Sequence, residues 1–376
     1  MNSPLKYWYW FGALTGIDPA CLNKLLETYG NAYEVYRQPQ EEFLKQDYLN
    51  PRSIGRLMDQ SLRQGLDERL NELAGQGIDI ITIEDARYPG LVAKIADPPP
   101  VLFMRGGAPS KPGDRYIAVV GARRPTSYGI ATTKRLVEGL AAYGFSIVSG
   151  LAAGIDAAAH RAALDAGVKT IAFLGCGVDR VYPAGNRALM GDIIMNGSVY
   201  SEYLPGAIPL QQNFPRRNRL ISGASLATVV VEAGERSGSL ITAGFAGEQG
   251  RDVFAVPGNI TSPLSKGSNA LIRDGAYIAT SAEDIVFALN KFMDPTCDNY
   301  ANISERRRKE AELALESLNG AELALAQLLK NRGPQNIDDI ADQCAIPVSE
   351  AGAVAILLEI KGILRRMPDG AYEFAD

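Results

Sequence analysis

Histidine is nearly absent from this chain: there is one, His160, in 376 residues. A metal site built from several histidines is therefore impossible, and acid–base chemistry that relies on imidazole has a single candidate. Cysteine is scarce too. Cys21, Cys176, Cys297 and Cys344 stand far apart with no CxxC pair, which excludes a zinc knuckle, argues against a disulfide scaffold and fits a reducing cytoplasm. No apolar run reaches the roughly 18 residues of a membrane span. The short run from Tyr7 to Leu14, preceded by one lysine, lacks the length and the small-residue cleavage site of a signal peptide. The GK[ST] ending of a Walker A loop is also missing. These absences lead to the expectation of a soluble, cytoplasmic chain without membrane contact, metal or cofactor.

What is present is the material of an ordinary globular protein. Hydrophobic residues make up 46% and charged residues 22% of the chain, and its length allows two or three domains with cores of their own. The formal net charge of −5 argues at first against a polyanionic partner. Its distribution does not. Residues 1–110 hold 11 Lys+Arg against 14 Asp+Glu, residues 111–290 hold 17 against 14, and residues 291–376 hold 10 against 15. The basic excess is confined to the middle of the chain, where attraction and counterion release would favour a polyanion.

The middle region alternates two kinds of segment. Strand-length apolar runs at Tyr116–Val120, Ser146–Val148, Thr170–Leu174, Leu226–Val231 and Val253–Val256 are mostly followed by glycines: Gly121, Gly150, Gly175, Gly234 and Gly258. Between them lie helical stretches such as Ile130–Tyr143, Ile155–Ala166 and Ile241–Gln249. Buried strands joined by helices predict an α/β domain over residues 111–290, with a doubly wound, Rossmann-like parallel sheet. Such sheets bind ligands at the carboxyl ends of their strands, where these glycines fall. Residues 1–110 read as a mostly helical domain that closes with a short strand, Ile78–Ile83, and the proline run Pro98–Pro100. Residues 291–320 read as a polar linker. From residue 321 to 376 three helices (Leu323–Asn331, Ile337–Cys344, Ser349–Lys361) and two short strands (Ile363–Met367, Ala371–Phe374) give the plan of a small winged-helix domain.

Several constellations could carry function. Gly121-Ala122-Arg123-Arg124 follows the first strand of the middle domain. Backbone amides there, with two guanidinium groups, would form an anion pocket; a dinucleotide site is the competing reading, though the GxGxxG spacing is absent. The segment Gln211 to Leu220 is the most distinctive. It sets Arg216, Arg217 and Arg219 around Asn218, two residues after Phe214. Arginines neutralise phosphates, the asparagine can read a base edge, and the ring can stack on an exposed base. A solvated basic loop with Phe214 in the core explains the same composition. Ser237-Gly238-Ser239 can cap a helix and offer amides to a phosphate. Gly150 sits at a further strand end, Arg180 and Arg187 stand near the run Gly175–Asp179, and Asn269 lies at an expected helix start. So many phosphate-capable turns on one sheet edge exceed what a mononucleotide needs and suit a chain of phosphates. This reading requires Arg123, Arg217 and Ser237 to converge on one rim of the sheet.

Catalytic signals are poor. Asp156 and His160, four apart on an expected helix, fit a structural pair better than a catalytic one. Glu232 at a strand end has no second acid or nucleophile to partner it, and Cys176 between two glycines reads as a small turn residue. No catalytic residue is assigned.

In this order the segments resemble the DNA-processing protein A family (DprA, also called Smf). The resemblance is carried by Val119-Val-Gly-Ala-Arg123, Ser149-Gly-x-Ala-x-Gly-Ile-Asp156, Tyr182-Pro183, Phe214-Pro-x-Arg-Asn-Arg-x-Ile221, Ser237-Gly-Ser-Leu-Ile-Thr242, Val256-Pro-Gly258 and Gly267-Ser-Asn269. It covers about 170 residues of the middle domain. It implies an extended Rossmann-like domain that binds single-stranded DNA and forms a homodimer, between a helical SAM-like N-terminal domain and a C-terminal winged helix. It further implies loading of the RecA recombinase on incoming strands during natural transformation or recombination, against exclusion by single-strand-binding protein. The family's binding motif falls on Gly121, Ala122 and Arg123, with Ala122 in place of the usual hydroxyl residue, and on Phe214, Arg217, Asn218 and Arg219. The rival class is a nucleotide-processing enzyme of the lysine-decarboxylase-like phosphoribohydrolase type, whose Pro-Gly-Gly-x-Gly-Thr turn is replaced here by Glu232-Ala-Gly-Glu-Arg-Ser-Gly-Ser239. The winged helix offers little to a DNA groove: residues 321–376 hold 5 basic and 9 acidic residues, and Ser349–Lys361 has one lysine at its end.

Overall fold

The computed structural model describes residues 4–107, 111, 114–290, 318, 320–361, 363–367 and 370–374. The chain falls into two compact units, residues 1–294 and 295–376. The expected linker over 291–320 and Cys297 lie almost wholly outside the described residues.

The first unit is built on one sheet of nine strands: β1 (Asp79–Thr82), β2 (Val101–Arg105), β3 (Tyr116–Val120), β4 (Ser146–Ser149), β5 (Thr170–Phe173), β6 (Ser198–Ser201), β7 (Ala227–Val230), β8 (Asp252–Ala255) and β9 (Tyr277–Ile278). Their spatial order is β1-β2-β6-β5-β4-β3-β7-β8-β9. From β6 to β9 the strands run parallel, while β2 pairs antiparallel with β6 and β1 antiparallel with β2. The expected doubly wound sheet is present, then, but as a mixed sheet with two antiparallel strands on one edge. Those strands precede residue 110, so the boundary expected there falls inside one continuous sheet.

Strands β3, β5, β6 and β7 are buried along their whole length, and β4 at all but Ser146. A parallel strand covered on both faces can use an uninterrupted apolar run, as Tyr116-Ile-Ala-Val-Val120 does. Strand β6, Ser198-Val-Tyr-Ser201, is buried but half polar, and its end serines bond to the carbonyls of Gly197 and Cys176. That polarity hid it from the apolar pattern. Seven short helices, from α1 (Leu5–Gly12) and α2 (Pro19–Tyr29) through α3 (Ala32–Tyr36), α4 (Gln40–Leu44), α5 (Pro51–Leu57) and α6 (Gln60–Arg63) to α7 (Leu66–Gly75), precede the sheet. They bury Trp8, Trp10, Phe11 and Phe43 in a core shared with Val101, Phe103, Ala172 and Val199 of the strands. The sheet's central helices are α8 (Ser127–Ala142), α9 (Ile155–Asp165), α10 (Arg187–Asn196), α11 (Asn213–Gly223), α12 (Gly238–Glu248), α13 (Lys266–Arg273) and α14 (Ala282–Asn290). Leu220 and Ile221 of α11, Ala224 just after it and Ala243 of α12 pack on the opposite face, against Tyr116, Ala118, Val120, Ile171, Phe173 and Val230.

Strand β3 lies between β4 and β7. The chain leaves β3 through α8 towards one side and returns, after β6, through α11 to β7 on the other. The order reverses here, and connections that diverge from neighbouring strand ends open a crevice at the carboxyl edge.

The second unit contains α15 (Gly320–Arg332), α16 (Ile337–Cys344), α17 (Val348–Ile360) and the antiparallel pair β10 (Leu364–Arg366) and β11 (Tyr372–Phe374). Its core joins Leu325, Leu329, Ile340, Ala355, Leu358 and Tyr372. This is the expected winged helix. The exposed side chains of α17 include Val348, Ser349, Glu350, Ala353, Ile356, Leu357 and Glu359, with no arginine or asparagine among them.

Candidate nucleic-acid interface

Gly121 ends β3 in a place that admits no side chain. A Cβ there would lie 2.7 Å from Ile155 Cγ1 and 3.0 Å from the Glu232 carbonyl oxygen. Gly154, one residue before α9, has φ +84° and presses on the backbone of Ala122 and Arg123, so both the left-handed conformation and the close approach require glycine. The Ile155 amide donates to the Ala122 carbonyl at 3.1 Å. These contacts fix the Gly121–Arg123 turn against the start of α9 and leave Arg123 exposed.

The segment that composition could have made a solvated loop is helix α11. At 100° per residue, Phe214, Arg217, Asn218 and Ile221 share one face of it. All four line a cavity of about 620 Å³ at the carboxyl edge of the sheet, together with Gly121, Arg123, Gln211, Ser237, Gly238 and Ser239. Arg123, Arg217 and Ser237 thus converge in one place. The cavity also takes in Tyr182, Asp156 and Ile241.

Phe214 is half-buried, and its ring leaves no room for a Cβ at Gly175, which would stand 2.9 Å from Cδ1. Two guanidinium groups approach its π face or rim, Arg123 at 5.7 Å and Arg217 at 5.9 Å from the centroid. Tyr182, 44% exposed, sits with its ring 5.2 Å from that of Phe214 at a tilt of 35°. Sequence reasoning passed over Tyr182 as a binding residue; an aromatic ring before Pro183 in a glycine-rich strand end was the available signal.

Arg217 is only 4% exposed. Its Nη1 donates to the carbonyls of Phe173 and Gly150, and its Nε to Asn218 Oδ1 at 3.3 Å. Burial lowers its pKa, and the nearby Asp156 carboxylate opposes that effect. Burial likewise raises the Asp156 carboxyl, against the pull of Arg217 and of the Ala152 and Gly150 amides, which donate to it at 3.3 and 3.2 Å. At the base of the cavity the buried Arg217 and Asp156 thus act on each other with opposite charge, and the exposed positive charge comes from Arg123. Asn218 is half spent: Nδ2 donates to the Gly238 carbonyl at 3.2 Å. Ser237 caps α12, with Oγ accepting from the Ser239 amide at 3.4 Å and 2.7 Å from Ser239 Oγ. The first turn of α12 holds no acidic residue, so its positive dipole end faces the cavity uncompensated.

Other expected site residues stand elsewhere. Arg219 is the clearest correction. Two positions from Arg217, it points about 200° away around α11 and is 3% exposed. Its Nε pairs with Asp97 at 2.7 Å and its Nη2 with Glu202 at 2.8 Å; despite burial, the two carboxylates raise its pKa. It does not line the cavity. Asn269 is also structural, accepting from the Gly258 amide at 3.1 Å and donating to the Gly258 carbonyl at 2.9 Å. Ala122 is buried, and Gly150 lies beneath Arg217. Arg180 is exposed, with Nε donating to the Gly206 carbonyl at 2.8 Å. Arg124 and Arg187 are exposed outside this cavity.

The side chains open to a catalytic reading are otherwise employed. His160 is fully buried, its Nδ1 2.7 Å from Thr170 Oγ1, and burial pushes its pKa down to about 3. Asp156 turns to backbone amides rather than to it. Glu232 accepts from the Thr126 amide and hydroxyl at 2.8 and 2.6 Å at the head of α8. Burial raises the Cys176 thiol to about 11, far from a thiolate at neutral pH. Among the described residues, no cluster of three or more His, Cys, Asp or Glu could hold a metal ion, and no single helix is long and apolar enough to cross a membrane.

Comparison with known proteins identifies the family. Residues 79–290 match the family described as DNA recombination-mediator protein A, and residues 309–370 match the DprA winged helix domain. Protein Smf of Synechocystis sp. is 30% identical, over 99% of both chains. Among solved structures, DNA processing protein A of Streptococcus pneumoniae is 36% identical with a TM-score of 0.66, covering 76% of this chain and 98% of that one. DNA processing protein A from Helicobacter pylori, described for its single-stranded DNA binding mode, is 30% identical with a TM-score of 0.51, covering 57% and 98%. The match from residue 79 takes in β1 and β2, in keeping with their place in the sheet.

Proposed function

The chain belongs to the DNA recombination-mediator protein A family, and on that footing we propose that it binds single-stranded DNA in the cavity between β3 and β7. It protects strands entering the cytoplasm and loads RecA on them during natural transformation or recombination, displacing single-strand-binding protein and performing no chemistry on the DNA. The observation that carries this reading is the meeting of Arg123, Arg217, Phe214 and the α12 N-terminus in one cavity. Guanidinium and amide groups hold phosphates, and an aromatic ring beside them stacks a base without choosing among the four.

A second copy completes the working unit. Edge strand β9 leaves Tyr277 45% and Ile278 51% exposed, and Phe287 of the following α14 is 60% exposed. Apolar side chains on an unpaired edge are the kind of surface that a homodimer covers.

Electrophoretic titration of oligo-dT against blunt duplex, at two salt concentrations, tests the proposal. Tighter binding of the single strand, weakened by salt, is expected. Equal affinity for both would refute it. Incubation with nucleoside monophosphates tests the enzymatic rival, which predicts released base; Glu232, the carboxylate such an enzyme would call on, is committed to Thr126.

A further inference from the structure

Arg123 borders two cavities. On its far side a second groove, about 580 Å³, opens over the start of α9, with Gly154, Ala157, Arg161 and Asn186 in its walls. No carboxylate and no aromatic ring lines it among the described residues. Asn186 Nδ2 donates to the carbonyls of Leu151 and Ala152 at 2.9 and 3.2 Å. Ala152 in turn lines the first cavity, so the ridge between the two is fixed.

Of the exposed arginines that the first cavity leaves unused, Arg161 lines this groove, and Arg124 and Arg187 flank its lining residues in sequence. Arg124 lies between Arg123 and Pro125, and Arg187 between Asn186 and Ala188, and each of those four neighbours lines the groove. Arg161 is paired with Asp192 at 2.8 Å, with both side chains 49% exposed. An ion pair that wet is weak and screened, and a phosphate can replace the carboxylate. The small residues of the floor admit a sugar–phosphate chain at close range, while nothing offers a ring on which a base could stack.

We propose that the strand leaving the first cavity passes over Arg123 into this groove, where Arg161, Arg124 and Arg187 hold its next phosphates. The inference rests on the reading of the first cavity given above. It makes the protomer's footprint longer than the stacking site, with the extension gripping backbone alone.

Fluorescence anisotropy of the full chain with dT5 and dT20 tests it. The exposed double variant Arg161→Ala/Arg187→Ala should bind dT5 as the wild type does. Each lost contact flattens the single-strand salt dependence by about 0.7, so two lower the dT20 slope by about 1.4 and its affinity about 25-fold at 0.1 M salt. Asp192→Asn, which frees Arg161, should tighten dT20 binding. A double variant with wild-type dT20 affinity and slope overturns the inference. Phe214→Ala separates the two levels: weakening at both lengths keeps the first cavity as the binding site, whereas no loss at either length removes that reading and the extension with it.

Discussion

Arg217 and Arg219 stand two residues apart in a motif whose composition invites one role for both, and Arg219→Ala separates them. In the wild type the Arg219 guanidinium joins Glu202, 7% exposed, to Asp97, 38% exposed. Asp97 can return to water at little cost. Glu202 cannot, because its Oε1 already lacks a hydrogen-bond partner and the other guanidinium near it among the described residues, that of Arg216, is 3.8 Å away. Removing one partner of a buried pair costs about 3–5 kcal/mol, and the wet Asp97 sets this case near the lower end. A loss of about 3 kcal/mol lowers Tm by roughly 6–12 °C at the scaling of domains of 150–250 residues. The assay is thermal denaturation beside an oligo-dT titration run well below the transition. Expected are a lowered Tm and a DNA affinity within a factor of two of wild type. Arg219→Met/Glu202→Leu, which removes both buried charges together, should recover much of the loss. A variant with unchanged Tm and sharply weakened DNA binding would refute the assignment and return Arg219 to the phosphate contacts.

Three further outcomes are expected. Arg123→Ala should leave Tm unchanged, flatten the salt slope by about 0.7 and weaken binding about fivefold at 0.1 M salt, whereas Phe214→Ala should cost about 1–3 kcal/mol of affinity with the slope preserved; equal slopes for Arg123→Ala and wild type would count against the phosphate contact. His160 stays neutral in the fold, with its pKa depressed to about 3, while the unfolded chain takes up the proton near pH 6.5. Its stabilising contribution is therefore complete above pH 6.5 and declines as pH falls towards 3, by up to about 1.4 kcal/mol per unit. As it is the chain's sole histidine, urea titrations of His160→Gln should show a flatter dependence between pH 6.5 and 5, and matching profiles would exclude the effect. Ile278→Lys should shift the protein from dimer to monomer in light scattering without loss of Tm; a dimer that survives it would place the interface elsewhere.

The parts of the fold legible in the sequence are those with a single physical cause. Strands β3, β5 and β7 announce themselves because burial on both faces demands mostly apolar residues, and Gly121 and Gly175, after the first two, mark turns with no space for a Cβ. Strand β6 escapes because two of its four residues are serines satisfied by neighbouring carbonyls, a tertiary circumstance. Helix α11 escapes because its apolar anchors are few, Leu220 and Ile221 near its end and Phe214 near its start, too sparse to fix a period of 3.6. Once that helix exists, its geometry divides the arginine cluster between two surfaces. Side-chain type made Arg217, Asn218 and Arg219 look alike as DNA ligands, yet burial of an arginine is set by partners far along the chain: Asp156, Phe173, Asp97 and Glu202. The structural role of Asn269 is hidden from the sequence for the same reason, since its two bonds to Gly258 reach across eleven residues.

The charge balance of the cavity changes what salt dependence should mean for this protein. A count of basic residues in 111–290 favours strong counterion release, but Arg219 is neutralised by two carboxylates and Arg217 is offset by Asp156. That leaves Arg123, among the described residues, as the one exposed guanidinium lining the cavity, beside amides that carry no net charge. A strand short enough to fill only this cavity should then show a slope between about −0.7 and −1.4, the values for one and two neutralised phosphates. Its affinity would come chiefly from stacking on Phe214 and from backbone donors at the head of α12. A slope near −3 for dT5 would require more cations than the cavity displays, and would mean that short strands bind across the exposed arginines instead.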